Sequence, residues 1–253
     1  MPDQPDTPPF DRVLASVDGV EGWMSPDQAR RLYDAAARTS PGDTIVEIGS
    51  FRGRSAIVLA SAAPAGVEIV AIDPHAGNDR GPQEIDGFAA EAADDHAAFN
   101  ANLAAAGVAD RVRHLRMFSD DALDEIDGPF AVVYVDGAHR FGPARADIRD
   151  WGARIADGGT LLIHDSFSSV GVTLAILREL VPGRRFRYVG RSRSLTEYRA
   201  DLPAGRGALV RNVARQLAQL PWFARNLFIK VLMTLRLDPV VRLITRRPAE
   251  WPY

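Results

Sequence analysis

The sequence predicts an α/β fold in which helices cover both faces of a doubly wound, mostly parallel sheet. Short apolar runs alternate with stretches of helical periodicity along most of the chain, a pattern typical of buried parallel strands joined by helical crossovers. The chain has 253 residues, of which 46% are hydrophobic and 25% are charged. It is therefore long enough to bury a core without metal or disulfide support.

Seven segments are predicted as strands, because each is a short apolar run bounded by turn residues. The first five are expected to be parallel, and the last two are expected to close the sheet with an antiparallel strand. The predicted strands are residues 44–48, 68–72, 112–116, 130–135, 159–163, 186–190 and 194–199.

The first predicted helix begins after Ser25, because serine is a favoured N-cap residue and Pro26 suits the first helical position. Ala29 and Leu32 then fall on one face of that helix. Further helices are predicted between the strands, at residues 55–63, 95–106, 143–154 and 170–180.

Changes in composition divide the chain into three regions. Residues 1–24 begin with a polar, acidic and proline-rich stretch that lacks the pattern of a signal peptide, and they are predicted as an N-terminal tail. Residues 25–200 hold the predicted sheet and its helices. Residues 206–253 are predicted as a basic amphipathic helical extension.

The composition excludes several kinds of site. The chain has no cysteine, which rules out disulfides, thiolate zinc sites, cysteine-ligated iron–sulfur clusters and cysteine nucleophiles. This composition fits a cytoplasmic protein. The net charge of −3 gives no reason to expect a nucleic-acid partner. With five histidines in the chain, a histidine-rich metal cluster is not expected.

The C-terminal extension differs in charge from the rest of the chain. Residues 206–247 contain nine basic residues and one acid. Leu209, Val213, Leu217 and Leu220 are predicted to form one apolar helix face. Basic residues interrupt the apolar run, so no stretch reaches the roughly 20 apolar residues of a membrane span. Two interpretations remain open: an accessory layer or homo-oligomer interface, such as that of a dimer, and a peripheral contact with an anionic membrane.

Acidic residues mark the ends of three predicted strands. Asp73, Asp136 and Asp165 each lie there, within three residues of a histidine. Ligands of open α/β sheets bind beyond the carboxyl ends of the strands. We therefore expect the functional site at this edge of the sheet.

The strongest motif is IVEIGSFRGRS, residues 45–55. Gly49 and Gly53 allow a sharp turn and a close approach to a ligand, but the motif lacks both the Gly-Lys-Ser/Thr of a phosphate loop and the G-x-G-x-x-G of a dinucleotide site. Asp73 follows the second strand, where an acid can bind both hydroxyls of a ribose. The pattern predicts a nucleoside ligand without an essential pyrophosphate. The alternative is that Glu47 caps a turn and Asp73 merely begins a loop.

Three motifs together carry a family resemblance. VEIGSF-x-G-x-S at residues 46–55 with Asp73, VDGAHRF at 135–141 and GGTLLIHDSF at 158–167 resemble the class I S-adenosylmethionine-dependent methyltransferases. The resemblance is to the branch that holds catechol-type and macrocin-type O-methyltransferases, and it covers roughly residues 40–199. It implies a Rossmann-like sheet, a class I methyltransferase domain at residues 25–200, and S-adenosylmethionine as cofactor.

The resemblance also implies roles for residues that match the motifs. Asp73 would hold the ribose of the cofactor, and Ser119 and Asp120 would border its adenine. The alternative for Ser119 and Asp120 is an N-cap of the helix that begins at Asp121. The residues expected to line the methionine side of the cofactor are those of the glycine turn: Glu47, Gly49, Ser50, Phe51, Gly53 and Ser55.

In the catechol-type relatives, acids after the fourth and fifth strands hold a divalent cation, and Asp136 and Asp165 match two of those positions. The third position, often Asn or Asp in relatives, is Ser166, and macrocin-type paired acids are replaced by His164-Asp165. Two carboxylates would suit Mg²⁺, whereas an added histidine would favour Mn²⁺ or another transition ion.

A metal-free alternative makes His139 or His164 the general base, with Asp136 as a further catalytic residue, because histidine titrates near neutral pH. Both histidines could instead only bind strand-end backbone. The resemblance implies a small hydroxylated acceptor, such as a natural-product sugar or a phenol. Two other functions remain as alternatives: a nicotinamide-dependent oxidoreductase, and a non-catalytic scaffold bound to a membrane or a partner.

Two segments are candidates for closing the site. Residues 74–94 are rich in Gly, Asp and Glu and are predicted as a lid, with a solvated loop as the alternative. Trp23 precedes the first predicted helix and is interpreted as a core or interface residue, or as a second cover of the same pocket.

Overall fold

The protein is described by a computed structural model that covers residues 7–76 and 89–237, together with the single positions 239 and 242. Its centre is a seven-stranded sheet. The strands are β1 (Thr44–Ile48), β2 (Glu68–Ile72), β3 (Val112–Leu115), β4 (Phe130–Val135), β5 (Ile155–Ile163), β6 (Arg187–Ser192) and β7 (Leu195–Arg199).

Eight α-helices lie in the described part of the chain. They are α1 (Phe10–Ser16), α2 (Pro26–Ala36), α3 (Arg54–Ala62), α4 (Ala89–Ala105), α5 (Phe141–Ala153), α6 (Val170–Glu179), α7 (Arg206–Leu217) and α8 (Leu220–Thr234). Short 3₁₀ turns at Ala109–Arg111 and Asp121–Asp124 flank β3.

The strand order is β3-β2-β1-β4-β5-β7-β6. β1 to β5 are parallel to one another, whereas β7 runs antiparallel to both β5 and β6. This confirms the predicted doubly wound, seven-stranded and mostly parallel sheet with an antiparallel closing strand. The order reverses between β1 and β4, and ligands of such sheets bind at that point.

Both faces of the sheet are buried, which explains the continuous apolar runs of its strands. Side chains alternate between two hydrophobic clusters with the period of two that a strand imposes. In β1, Ile45 belongs to one cluster, and Val46 and Ile48 belong to the other. In β4, Tyr134 and Val135 divide in the same way.

The N-terminal region differs from the prediction of a tail at residues 1–24. Phe10–Ser16 is the helix α1, and Val13 and Val17 are buried in the cluster that also holds α2 and α3. The polar, proline-rich start of the chain obscures the short apolar spacing that follows it. Helix α2 begins as predicted, because the backbone N–H of Ser25 donates to Oε1 of Gln28 at 2.8 Å.

Helices α7 and α8 confirm a helical extension, in which the residues predicted to form one apolar face are only partly buried. The buried side chains of the pair include three amides, those of Asn212, Gln216 and Asn226. Leu217, predicted on the apolar face, is 41% exposed. In the described part of the chain, no helix is long and apolar enough to span a membrane.

Two predicted regions fall partly or wholly outside the described residues. Within the predicted lid at 74–94, residues 89–94 belong to α4 rather than to a loop, and residues 77–88 lie outside the described part. Most of the extension beyond residue 237 lies outside it as well. The division of the chain into residues 25–200 and 206–253 stays a prediction.

Candidate active site

A cavity of about 750 Å³ opens at the carboxyl ends of β1, β2 and β4. Pockets for small ligands and cofactors have volumes of roughly 300–1,000 Å³. The predicted residues that line this cavity come from four separate segments of the chain. They are Gly49, Ser50, Phe51, Ser55, Asp73, Ser119, Asp120 and Asp136.

Gly49 brings the ends of β1 and β4 into close contact. Its φ is +86°, in the left-handed region that favours glycine. A Cβ atom at this position would lie 2.2 Å from the carbonyl oxygen of Asp136 and 2.9 Å from the backbone nitrogen of Gly137. Glycine is therefore required here for steric reasons, and the Asp136 loop is held against the glycine turn.

Asp73 binds the glycine turn from the end of β2. Its Oδ2 accepts the backbone N–H groups of Ser50 at 2.9 Å and Phe51 at 2.8 Å. Its Oδ1 accepts the N–H of His75 at 2.8 Å. A carboxylate offers about four acceptor positions, so capacity for a ligand hydroxyl remains. Asp73 thus lies at the cavity, as the ribose assignment requires, and it also orders the turn.

Glu47 lies fully buried beneath the cavity, at the end of β1. Burial raises its pKa to about 7, although the hydroxyls of Ser55 and Ser50 act in the opposite direction. Both carboxyl oxygens, and the hydroxyl of Ser50, lack a hydrogen-bond partner among the described residues. Buried polar groups normally have partners. Of these residues, Ser50 lines the cavity and Glu47 does not.

Ser119 and Asp120 line the far end of the cavity, after β3. The hydroxyl of Ser119 donates to Asp147 at 2.5 Å, and its carbonyl accepts the indole N–H of Trp151 at 3.2 Å. Burial raises the pKa of Asp147 to about 6, against the effect of the Ser119 hydroxyl. Asp120 precedes the 3₁₀ turn without a side-chain cap bond. The geometry therefore favours the cavity assignment over the N-cap alternative.

Trp23 covers the glycine turn. Its ring lies 5.3 Å from that of Phe51, centroid to centroid, and it is 37% exposed on the cavity wall. Phe51 has a φ of +44°, and its carbonyl accepts the Nε2–H of His75 at 2.8 Å. Trp23 therefore lies at the pocket rather than in the core.

The candidate catalytic and metal-binding residues form one cluster beside the cavity. Nε2 of His139 donates to Oδ2 of Asp165 at 2.8 Å. Nδ1 of His164 lies 3.1 Å from Oδ1 of Asp136 and 3.4 Å from Oδ2 of Asp165. Asp136 lines both the large cavity and a smaller one beside it, where it is joined by His139 and His164. The structure thus brings together all four predicted residues.

The two carboxylates of the cluster determine the charge of His164. Burial alone would lower the pKa of His164, but the carboxylates of Asp136 and Asp165 raise it to about 10. Burial alone would raise the pKa of Asp165, but His164 and His139 hold it well below its usual range. His164 is therefore protonated at neutral pH. This makes it a poor candidate for the base and leaves His139 as the better one.

Tyr134, Asp147 and Trp151 contribute to the site, although no sequence motif marks them. The hydroxyl of Tyr134 donates to Oδ2 of Asp136 at 2.8 Å. Tyr134 lies in β4, and its sequence context is that of an ordinary buried strand residue. The only sequence signal is its position two residues before Asp136, which places both side chains on one side of the strand.

The predicted cation site is altered at its third position. Ser166 is buried, and its hydroxyl bonds the carbonyl of Ile163 at 2.9 Å and the hydroxyl of Thr196 at 2.7 Å. Asp136, His139 and Asp165 instead present ligand atoms that lie within 4.8 Å of one another. Two carboxylates with one imidazole form a donor set that suits Mn²⁺ better than Mg²⁺.

A family model described as a methyltransferase domain matches residues 46–166 of the chain. This range begins in β1 and ends at Ser166. It therefore contains the glycine turn, Asp73 and the cluster of Asp136, His139, His164 and Asp165.

Solved structures share the fold at low sequence identity. The chain is similar to the SAH-bound methyltransferase PaMTH1 of Podospora anserina, with a TM-score of 0.54, 19% identity and coverage of 78% of this chain and 88% of that one. It is similar to a Bacillus cereus O-methyltransferase in complex with SAH, with a TM-score of 0.51, 19% identity and coverage of 78% and 90%. It is also similar to TomG of Streptomyces achromogenes, an O-methyltransferase involved in tomaymycin synthesis, with a TM-score of 0.50, 18% identity and coverage of 79% and 91%.

The domain match favours methyl transfer over the alternative of a nicotinamide-dependent oxidoreductase, because it spans both the glycine turn and the cluster of acids and histidines. The strand order and the shared fold agree with it. On these grounds residues 46–166 are identified as a methyltransferase domain.

Proposed function

We propose that the protein methylates a hydroxyl oxygen of a small acceptor, with His139 as the general base. The observation that carries this proposal is the His139–Asp165 hydrogen bond of 2.8 Å beside Asp136, which lines the cavity. Methyl transfer to a neutral hydroxyl requires the removal of a proton, and a positioned histidine is the usual group for that task.

The cofactor is placed by residues around the large cavity. Asp73 would bind its ribose, and Ser119 and Asp120 would border its adenine. Ser50 would border its methionine end from the cavity wall, with the buried Glu47 close by. When bound, S-adenosylmethionine supplies a methyl group carried on a sulfonium and leaves as S-adenosylhomocysteine. The chain's contribution is mainly positioning, which is worth roughly 7–11 kcal/mol in well-oriented reactions.

The proton is handled by the cluster. Because Nε2 of His139 donates to Asp165, the other ring nitrogen, Nδ1, is the one that accepts a proton. Asp136 would hold the acceptor hydroxyl at the cavity wall, since its ligand atom lies within 4.8 Å of that of His139. Asp165 then stabilises the imidazolium that forms, and Tyr134 orients the Asp136 carboxylate.

The alternative is a divalent cation held by Asp136, His139 and Asp165, whose donor atoms are close enough to share one ion. Such a cation would lower the pKa of a bound hydroxyl. It would also use the imidazole that the metal-free proposal assigns as base, so the two proposals predict opposite responses to chelation.

The acceptor class is a phenol or a natural-product sugar. Trp23 and Phe118 line the outer part of the cavity and are 37% and 58% exposed, and aromatic faces stack on flat or apolar ligand surfaces. TomG, which is involved in tomaymycin synthesis, supports a natural-product acceptor.

The test is methyl transfer from radiolabelled S-adenosylmethionine to panels of phenols and of sugars, each assayed with EDTA, Mg²⁺ or Mn²⁺. We expect product that carries the label on oxygen, formed in EDTA by the wild type and lost in His139→Gln. Activity that requires Mn²⁺ or Mg²⁺ would replace the base proposal with the cation proposal. Label on nitrogen or carbon would contradict O-methylation.

A second property concerns the extension, and we infer that helices α7 and α8 lie on an anionic membrane surface. The pair faces the protein with the amides of Asn212, Gln216 and Asn226 as well as with Ile229 and Leu232, and it also presents apolar residues to solvent. The exposed apolar residues are Val210, Leu217, Leu227, Phe228, Val231, Leu235 and Leu237, each at least 39% exposed.

The charge of α7 and α8 favours an anionic lipid surface over a second copy of the chain as the partner of this exposed face. Residues 206–237 contain six basic residues and no acid. Arg211, Arg225 and Arg236 are exposed on the same two helices or just after them. Two such faces would repel each other in a symmetric dimer, whereas anionic headgroups attract basic residues around a buried apolar stripe.

Flotation with vesicles tests this inference. We expect the full chain to float with phosphatidylserine-containing vesicles and to remain behind with neutral phosphatidylcholine vesicles. Phe228→Ser with Val231→Ser should abolish flotation. No binding, combined with a concentration-dependent dimer in sedimentation that the same two substitutions dissociate, would assign the face to the predicted homo-oligomer instead.

A further inference from the structure

Helix α8 reaches the candidate active site through two polar side chains. Asn226 and Lys230 lie one helical turn apart, so they share a face of the helix. Nδ2 of Asn226 donates to the carbonyl of Phe167 at 3.4 Å. Nζ of Lys230 donates to the carbonyl of Ser168 at 2.9 Å and to its hydroxyl at 3.2 Å. Both partners belong to residues 165–168, called here the 165–168 turn.

The 165–168 turn is a strained support for a catalytic carboxylate. Asp165 has a φ of +52° and Phe167 a φ of +55°, in the left-handed region that side chains other than that of glycine rarely adopt. Such a backbone persists only where its surroundings hold it in place. Asp165 at the start of this turn is the residue that binds both His139 and His164.

The sheet holds only the first half of the turn. The backbone N–H of Ser166 donates to the carbonyl of Ser194 at 2.9 Å, and its hydroxyl bonds Thr196. The carbonyls of Phe167 and Ser168, in the second half, accept the bonds from α8. The second half is also closed on itself, because the backbone N–H groups of Ser168 and Ser169 donate to the carbonyl of Asp165 at 3.1 and 2.8 Å. The first half is thus secured by β7 and its flank, and the extension adds its bonds to a second half that already has local ones.

Lys230 is unusual in the sequence as well as in the structure. It is the only lysine among the 30 basic residues of the chain. Its exposure is intermediate although the helix around it presents apolar residues to solvent. Burial lowers the pKa of Lys230, and the negative charge of Asp165 acts in the opposite direction. The ammonium group of Lys230 therefore interacts electrostatically with the carboxylate of Asp165.

We propose that Lys230 and Asn226 are positioning residues for the methyl-transfer site. They fix the second half of the 165–168 turn, and through it they set the direction of the Asp165 carboxylate toward His139 and His164. The proposal rests on the proposed role of His139 and Asp165. It assigns to the extension a part in the active site that the methyltransferase domain match, which ends at residue 166, does not include.

The first experiment follows the histidine rings, so that it needs no acceptor substrate. The full-length protein with ¹⁵N-labelled histidine has five imidazoles to assign. We expect the ring N–H protons of His139 and His164, held by Asp165, to give downfield signals in the wild type. Lys230→Met should shift or broaden both signals, and Lys230→Arg, which keeps the donors, should restore them. Arg211→Met, at an exposed position of α7, is the matched control and should change neither.

The variant Ser168→Ala allows the same histidine signals to be measured without a change in α8. It removes one of the two acceptors of Lys230, so a smaller shift of the same signals is expected, and it remains informative if Lys230→Met does not fold. Unchanged His139 and His164 signals in both folded variants would overturn the proposal. Shifts spread over all five histidines in Lys230→Met, with none in Ser168→Ala, would also overturn it in favour of a purely structural role.

The second experiment separates this proposal from the proposed function. Calorimetry with S-adenosylhomocysteine should give the same affinity, within about twofold, for the wild type and Lys230→Met. With the acceptor found in the panels, kcat should fall by about 10- to 100-fold, while the KM for S-adenosylmethionine stays constant. An equal loss of cofactor affinity would contradict a positioning role at Asp165. If the wild type does not bind S-adenosylhomocysteine, the proposed function is contradicted. The histidine spectra then remain as the test of the contact between Lys230 and the 165–168 turn.

Discussion

The imidazole of His139 and the carboxylate of Asp165 are joined by a hydrogen bond of 2.8 Å between Nε2 and Oδ2. The two residues follow neighbouring strands, β4 and β5, whose carboxyl ends lie side by side. Asp165 is largely buried, whereas the side chain of His139 is 25% exposed. The pair thus has an inner acid and an outer imidazole, the arrangement that a general base needs.

His139→Gln should abolish most of the turnover without affecting the cofactor. Glutamine keeps a hydrogen-bond donor for Asp165 but cannot take up a proton, so we expect kcat to fall by about 10²- to 10⁴-fold. The affinity for S-adenosylhomocysteine should stay unchanged in calorimetry. His96→Gln, at a half-buried histidine of α4, is the control. Wild-type turnover in His139→Gln would remove His139 from the mechanism.

Gly49→Ala should be much more damaging than Gly42→Ala. Both glycines have a positive φ, +86° and +93°, so an alanine is strained at either position by about 1–2 kcal/mol. Only at Gly49 does the new Cβ meet backbone, at 2.2 Å from the Asp136 carbonyl. At Gly42 it meets nothing within 4 Å.

Urea unfolding and S-adenosylhomocysteine titration of the two variants measure this difference. We expect Gly49→Ala to lose about 2 kcal/mol or more beyond the loss in Gly42→Ala, together with cofactor binding. Equal losses in the two variants would show that backbone strain, and not the contact with Asp136, explains the requirement for glycine.

Glu47 should make the stability of the ligand-free protein depend on pH. Its pKa rises from 4.5 to about 7 on folding, chiefly through burial, so the folded protein binds its proton more tightly than the unfolded chain. The stabilisation is complete below pH 4.5 and is lost as the pH rises through 7. The difference corresponds to about 3 kcal/mol.

The comparison that isolates this effect is Glu47→Gln against the wild type, in urea unfolding at pH 5 and pH 8. The free energy of unfolding of the wild type should fall between these pH values by about 3 kcal/mol more than that of Glu47→Gln. Parallel pH dependences of the two proteins would mean that Glu47 stays ionised in the fold.

The strands were predictable from the sequence because their burial on both faces leaves a local signal. The bounds of β1, β2 and β4 coincide with the predicted residues 44–48, 68–72 and 130–135. The start of β5 at Ile155 was not predictable, since its first part contains Asp157 and two glycines. Those residues resemble a turn, although Phe130 of β4 already pairs with Ile155.

Some features of the site depend on contacts that no local pattern records. The motif residues of the cavity follow strand ends and could be found in the sequence. The assignment of roles within the cluster could not, because the pKa of His164 depends on its distances to Asp136 and Asp165. The burial of the amides of Asn212, Gln216 and Asn226 in α7 and α8 was not predictable for a related reason. Periodicity shows which residues share a helix face, but it does not show which face is buried.

The central claim is that Asp73 and the glycine turn hold the cofactor, and calorimetric titration with S-adenosylhomocysteine tests it most directly. We expect saturable binding at one site in the wild type and affinity at least about tenfold weaker in Asp73→Asn, because charge-assisted hydrogen bonds are lost. Asp110→Asn, at an exposed position, should bind like the wild type, and NADH should not bind. Wild-type affinity in Asp73→Asn, or saturable binding of NADH in place of S-adenosylhomocysteine, would contradict the account.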